Sequence, residues 1–88
     1  MSGYRIELRP AAIKALRAIE RKDRARIQGA IALLGENHRP PGARAFHGRD
    51  GLRVRVGDYR IIYTIRDDVL LVVVVTLGHR KDVYSPRN

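Results

Sequence analysis

The stretch that most constrains this chain lies in its second half, residues 52–77, LRVRVGDYRIIYTIRDDVLLVVVVTL. Leu52, Val54 and Val56 alternate with Arg53 and Arg55, a period of two that an extended strand converts into one apolar and one polar face. Gly57-Asp58 then supplies a two-residue hairpin turn, residues 59–66 form the next strand, Asp67-Asp68 supplies a second tight turn, and residues 69–77 form the last strand. That last strand is apolar at nearly every position, which suits a central strand with neighbours on both sides. The flanking Asp67, Asp68, His79 and Arg80 oppose the aggregation that such a run invites.

The first turn fixes a register. With Gly57-Asp58 as the whole loop, Val56 pairs with Tyr59, Arg55 with Arg60, Val54 with Ile61 and Arg53 with Ile62. Arg55 and Arg60 then face each other directly, an arrangement that forfeits part of the ~0.2–1 kcal/mol of a good cross-strand pair. The second turn, carried down its ladder, pairs Arg66 with Val69, Arg60 with Val75 and Asp58 with Leu77. The chain therefore leaves the sheet beside the arginine pair, and His79, Arg80, Lys81 and Tyr84 reach the same face. A one-residue slip would send Arg53 and Arg55 to the other side. Tyr59 and Tyr63 fall on the core side.

In the first half, residues 4–8 alternate as a strand, with Tyr4, Ile6 and Leu8 on one face. Pro10 suits a first helical turn, and Ile13, Leu16 and Ile19 or Glu20 follow at helical spacing, giving a helix over residues 10–21. After Lys22-Asp23, read as a turn and cap, Ile27, Ile31 and Leu34 stripe a second helix that ends near residues 35–37. Residues 38–51 combine Pro40-Pro41 with three glycines and several cations, an irregular connection that Phe46 pins to the core. The expected architecture is a single α+β domain over residues 1–88. It has an N-terminal strand, a helical hairpin and a three-stranded antiparallel meander, with the helices packed on one face of a four-stranded sheet.

At 88 residues a domain buries only a little over ~60% of its unfolded surface, so deep cofactor clefts are not expected. A formal net charge of +9, from 18 basic and 9 acidic residues and mostly arginine, points to an anionic partner, because the guanidinium fork matches pairs of phosphate or carboxylate oxygens. A merely solvated basic surface is the alternative. The absence of cysteine excludes disulfides and thiol chemistry. The N-terminus lacks the apolar core of a signal peptide, and the longest apolar run, residues 69–75, is far short of a membrane span. We expect a soluble cytoplasmic protein without a membrane partner.

No phosphate-binding glycine loop, zinc-protease motif or Ser-His-Asp arrangement is present. His38, His47 and His79 lack metal-site spacing, so neither metal nor cofactor is expected. What remains open to such a chain is metal-free phosphoryl chemistry, attack of an RNA 2′-hydroxyl on the adjacent phosphate. Arginines can neutralise charge on the phosphorane but cannot accept a proton, so His79 or Tyr84 is the candidate for proton transfer. Tyr84 is equally suited to stacking on a base or to packing on the sheet edge, and His79 to being an ordinary solvated tail residue.

The strand, the helical hairpin, GLRVRVGDYRIIYTIRDD, the apolar strand and LGHRKDVY together resemble the RelE/ParE superfamily of bacterial toxin–antitoxin toxins over nearly the whole chain. The resemblance implies a microbial ribonuclease-like fold and a toxin neutralised by a RelB-like antitoxin. In the RelE branch it implies metal-independent cleavage of mRNA in the ribosomal A site. Carried over, the basic pair on strand 52–56 falls on Arg53 and Arg55, the arginine after the turn on Arg60, the tail arginine on Arg80 and the terminal tyrosine on Tyr84. These positions, with His79, are the implied catalytic set, and Arg44, Arg49 and Lys81 are added as RNA-binding cations. Relatives often carry lysines where this chain has Arg53 and Arg55, and some have a longer spacing between GHR and VY, so the general base is left unassigned. The ParE branch shares the fold but poisons DNA gyrase. A nucleic-acid-binding module without toxicity is the third reading.

Overall fold

The computed structural model describes residues 3–45 and 51–79. Strand β1 (Arg5–Leu8) passes straight into helix α1 (Pro10–Ala18), whose opening Pro10 gives up an N–H that the first turn leaves unused. The helix stops when Ile19 and Glu20 turn extended, and the Ile19 N–H closes back on the Leu16 carbonyl at 3.2 Å. This break brings the Ile19 side chain into the core at 8% exposure. It falls earlier than the Lys22-Asp23 turn expected from sequence: both residues lie in the first turn of helix α2 (Arg21–Glu36), where the Asp23 charge favours the helix dipole. The buried stripe of α1 is Ala12 and Leu16, followed by Ile19, while Ile13 is 40% exposed. On α2 the expected stripe of Ile27, Ile31 and Leu34 is buried.

Strands β2 (Arg44–Ala45), β3 (Leu52–Val56), β4 (Tyr59–Arg66) and β5 (Leu71–His79) complete a five-stranded mixed sheet in the order β1-β5-β4-β3-β2. The α+β class holds, with one strand more than expected, because Arg44 and Ala45 pair with Arg53 and Leu52. β1 runs parallel to β5 and the other neighbours are antiparallel, so the apolar β5 is indeed interior to the sheet. Helices cover one face. Against them pack Ile61 and Tyr63 of β4 and Val72, Val74 and Leu77 of β5, with Leu52, Val54, Val56 and Tyr59 at the margin. Fully burying each large aliphatic side chain here contributes about 1.5–3 kcal/mol.

The two hairpins are built differently. Gly57, at φ +62°, turns the β3–β4 hairpin, and the pairing is Val56 with Tyr59, Arg55 with Arg60, Val54 with Ile61 and Arg53 with Ile62, as the sequence predicts. The β4–β5 connection is not the two-residue turn expected. Asp67–Val69 form a 3-10 turn and Leu70 takes a left-handed conformation at φ 52°, so that Arg66 pairs with Leu71 rather than Val69. Further along, Ile62 pairs with Thr76 and Tyr63 with Val74, leaving Val75 as a bulge. Arg60 therefore lies opposite Gly78, not Val75, and Tyr59 opposite His79.

Gly35 lets the sheet close on α2. The Tyr4 N–H donates to the Gly35 carbonyl at 2.9 Å, and a Cβ at Gly35 would sit 2.9 Å from the Tyr4 carbonyl oxygen.

Candidate anion-binding site

On the sheet face away from the helices, alternation places Arg53 and Arg55 of β3 beside Arg60 of β4, and the β2 pairing adds Arg44 opposite Arg53. With Gly42 these four arginines line a small pocket of about 90 Å³. Arg44 and Arg55 are exposed, while Arg53 and Arg60 are half-buried. Among the described residues no carboxylate lies within ion-pair distance of Arg44 or Arg55. Four guanidinium groups around so small a volume suit an anion with several oxygens, which can take paired N–H donors from more than one arginine. Ile62 shares this face at 4% exposure, opposite Arg53 and Thr76, and gives the pocket an apolar neighbour.

Because of the Val75 bulge, His79 is turned to the helix side. Its ring meets Tyr59 edge-on at 5.8 Å, and the Tyr59 hydroxyl lies 3.5 Å from Asp23 Oδ2 of α2. The Tyr59 phenol is held above its ordinary pKa first by burial and then by Asp23. The structure thus brings Arg44, Arg53, Arg55 and Arg60 together and sets the His79 ring on the opposite face. Arg49, Arg80, Lys81 and Tyr84, together with Phe46, lie outside the described residues. Among the described residues no three His, Asp or Glu side chains gather as a metal site would require.

A second polar cluster, which the sequence reading missed, holds the segment leading to Arg44. The Tyr63 hydroxyl donates to the His38 carbonyl at 2.9 Å, the Tyr4 and His38 rings stack with centroids 4.0 Å apart, and the Tyr4 hydroxyl donates to Asp67 Oδ1 at 2.6 Å. His38 Nε2 and Arg39 Nη2 each approach Asp67 at 3.8 Å. The Tyr4 hydrogen bond, aided by Arg39 and His38, holds the Asp67 carboxyl below its ordinary value against the opposing effect of burial, while Tyr4 is correspondingly raised. Burial raises Tyr63. These contacts tie the start of the chain and the β4–β5 turn to the connection after α2, so that Gly42 and Arg44 arrive at the pocket from a fixed support. No spacing rule marks these residues; only the fold brings Tyr4, His38 and Asp67 together.

Two helices packed on one side of a mixed five-stranded sheet match the fold of solved RelE toxins. A RelE–RelB complex from Pyrococcus horikoshii OT3 matches with a TM-score of 0.76 at 24% identity, covering 89% of this chain and 96% of that one. A mutant RelE toxin from E. coli in the free state matches at 0.77 and 18%, covering 93% and 87%, and the RelBE2 toxin–antitoxin complex from Mycobacterium tuberculosis at 0.65 and 21%, covering 89% and 99%. No curated protein matches by sequence. The chain belongs to the ParE toxin family of type II toxin-antitoxin systems, parDE, whose family model it matches over residues 6–84.

Proposed function

We propose that this toxin is an endoribonuclease that cleaves mRNA in the ribosomal A site without a metal, acts in the cytoplasm, and is neutralised by a RelB-type antitoxin. The observation that carries this reading is the convergence of Arg44, Arg53, Arg55 and Arg60 on one pocket of phosphate-like size. In the reaction the 2′-oxygen bonds to phosphorus, the bond from phosphorus to the 5′-oxygen breaks, and a proton passes from the first oxygen and another onto the second. Arg53, Arg55 and Arg60 neutralise the charge that builds on the phosphoryl oxygens, where fixed donors act most strongly. Arg44, Arg49 and Lys81 are assigned to flanking phosphates, Arg80 to the leaving group, and Tyr84 to stacking on a substrate base. Guanidinium groups neither accept nor readily give up protons, so the 2′-proton passes to one water and the departing 5′-oxygen takes its proton from another, on a substrate that the ribosome has aligned. His79, whose ring faces the helix side, stays outside this chemistry.

Two observations favour a second reading, a ParE-like gyrase poison: none of the described residues lining the pocket can serve as a general base, and the matching family is that of ParE. Primer extension on a translated reporter mRNA after brief induction separates the two. Cuts within codons that disappear in Arg55→Ala and Tyr84→Ala support the nuclease. Intact mRNA with arrested growth and DNA damage supports gyrase.

A further inference from the structure

Arg44 stands where its own strand gives it little hold. It lies directly opposite Arg53 on a strand of only two residues, and like charges facing each other across a ladder repel. What steadies it lies upstream. The Arg39 N–H donates to Asn37 Oδ1 at 3.3 Å, Pro40 and Pro41 restrict two successive φ angles, and the Ala43 N–H donates to the Pro40 carbonyl at 2.9 Å, closing a tight turn that presents Gly42 to the pocket. Residues 37–44 thus form a short stiff arm. Its far end is gripped from two sides: the Tyr63 hydroxyl of β4 donates to the His38 carbonyl, and Asp67, itself held by the Tyr4 hydroxyl, draws in Arg39 and His38. Neither Tyr4, Tyr63 nor Asp67 lines the arginine pocket.

We propose that Tyr63 and Asp67, with Tyr4 behind Asp67, are positioning residues for anion binding: by anchoring the arm at His38 and Arg39 they deliver Arg44 to the pocket as its fourth cation. This inference rests on the phosphate-binding role given to Arg44 above. Ordering a loop and a long side chain at the moment of binding costs affinity, and an arm that is already fixed avoids that cost. The anchor therefore acts on how tightly the pocket holds an anion, from groups that never touch it. Asp67 gives the inference a sign of its own. Asp67→Asn takes one negative charge from a chain of net charge +9, and through the field of the whole protein that change alone would tighten the binding of any anion. Loss of the anchor acts in the opposite direction.

The test is titration of inorganic pyrophosphate, near neutral pH and at low salt, into isotope-labelled wild-type protein, Asp67→Asn, Tyr63→Phe, Arg44→Gln and the double variant Asp67→Asn/Arg44→Gln, followed by the amide resonances of Gly42 and Arg44. Asp67 is exposed, so Asp67→Asn leaves the fold intact, which circular dichroism checks. Arg44→Gln weakens binding about tenfold, the effect of losing one charged pair of donors. Asp67→Asn and Tyr63→Phe each weaken it by roughly three- to fivefold. In the Arg44→Gln background the loss from Asp67→Asn disappears, because both changes act through one side chain. Equal or tighter binding by Asp67→Asn, or a loss of the same size with and without Arg44, overturns the positioning role while Arg44 keeps its place in the pocket. Unchanged affinity in Arg44→Gln overturns the phosphate-binding role of Arg44 and the anchor with it. Failure of the wild-type protein to bind pyrophosphate overturns the reading of the pocket itself.

Discussion

The two faces of one sheet obey opposite rules. Toward the helices, β4 and β5 present Ile61, Tyr63, Val72, Val74 and Leu77, each nearly free of solvent and packed into one cluster. On the other side β4, one residue out of phase, presents Arg60, the buried Ile62, Thr64 and Arg66, and β3 adds Arg53 and Arg55. The first face holds the protein together, while the second holds like charges opposite one another, which costs stability. The difference teaches that packing is carried by the helix-covered face, while the arginine pairing is a cost set against it.

The largest test of this contrast removes packing. Ile61→Ala, at a fully buried position, should lower unfolding free energy by about 2–5 kcal/mol in urea titration. Next comes the turn that sets the phase of the arginines: Gly57→Val forces a branched side chain to φ +62° and should cost about 1–2 kcal/mol, read as a lower urea midpoint. On the open face the sign reverses. Arg55→Thr should raise stability by up to about 1 kcal/mol while abolishing toxicity, because it relieves the pair with Arg60. A loss of stability in that variant would break the comparison. The smallest effect is confined to acid. Asp67 is held below its ordinary 3.8, so its contribution is fully present above that value and is lost as pH falls through the folded-state pKa. Asp67→Asn should therefore flatten the acid limb of a stability–pH profile measured from pH 7 to 2.

What the sequence makes legible follows the same division. Gly57-Asp58 announces its hairpin through the one residue that accepts a left-handed conformation at low cost, and the pairing of Arg55 with Arg60 follows by counting. The second hairpin hides its geometry. Leu70 adopts a left-handed conformation without being glycine or asparagine, and the bulge falls within Val72-Val73-Val74-Val75, where four identical residues give alternation nothing to mark. A single unmarked residue thus reverses the side on which His79 emerges. β2 is two residues long, too short for any period to reveal, so the pairing of Arg44 with Arg53 had to come from the fold. On α1, Ile13 misled because the buried stripe is carried partly by Ala12, a residue whose small side chain weakens the apolar signal.

The parallel pairing of β1 with β5 has a consequence in time. Arg5 through Leu8 find their partners only at Leu71 through Val74, so β1 waits for β5, and the interior of the described sheet cannot form before β5 is present. Contacts between such distant segments form slowly, and α1, which packs on β5, has no sheet to cover until then. Without β5, β1 and β4 lack the neighbour they share, and the core behind the arginines cannot close. By this order of assembly the arginine-bearing strands gain their packed backing only when β5 is present.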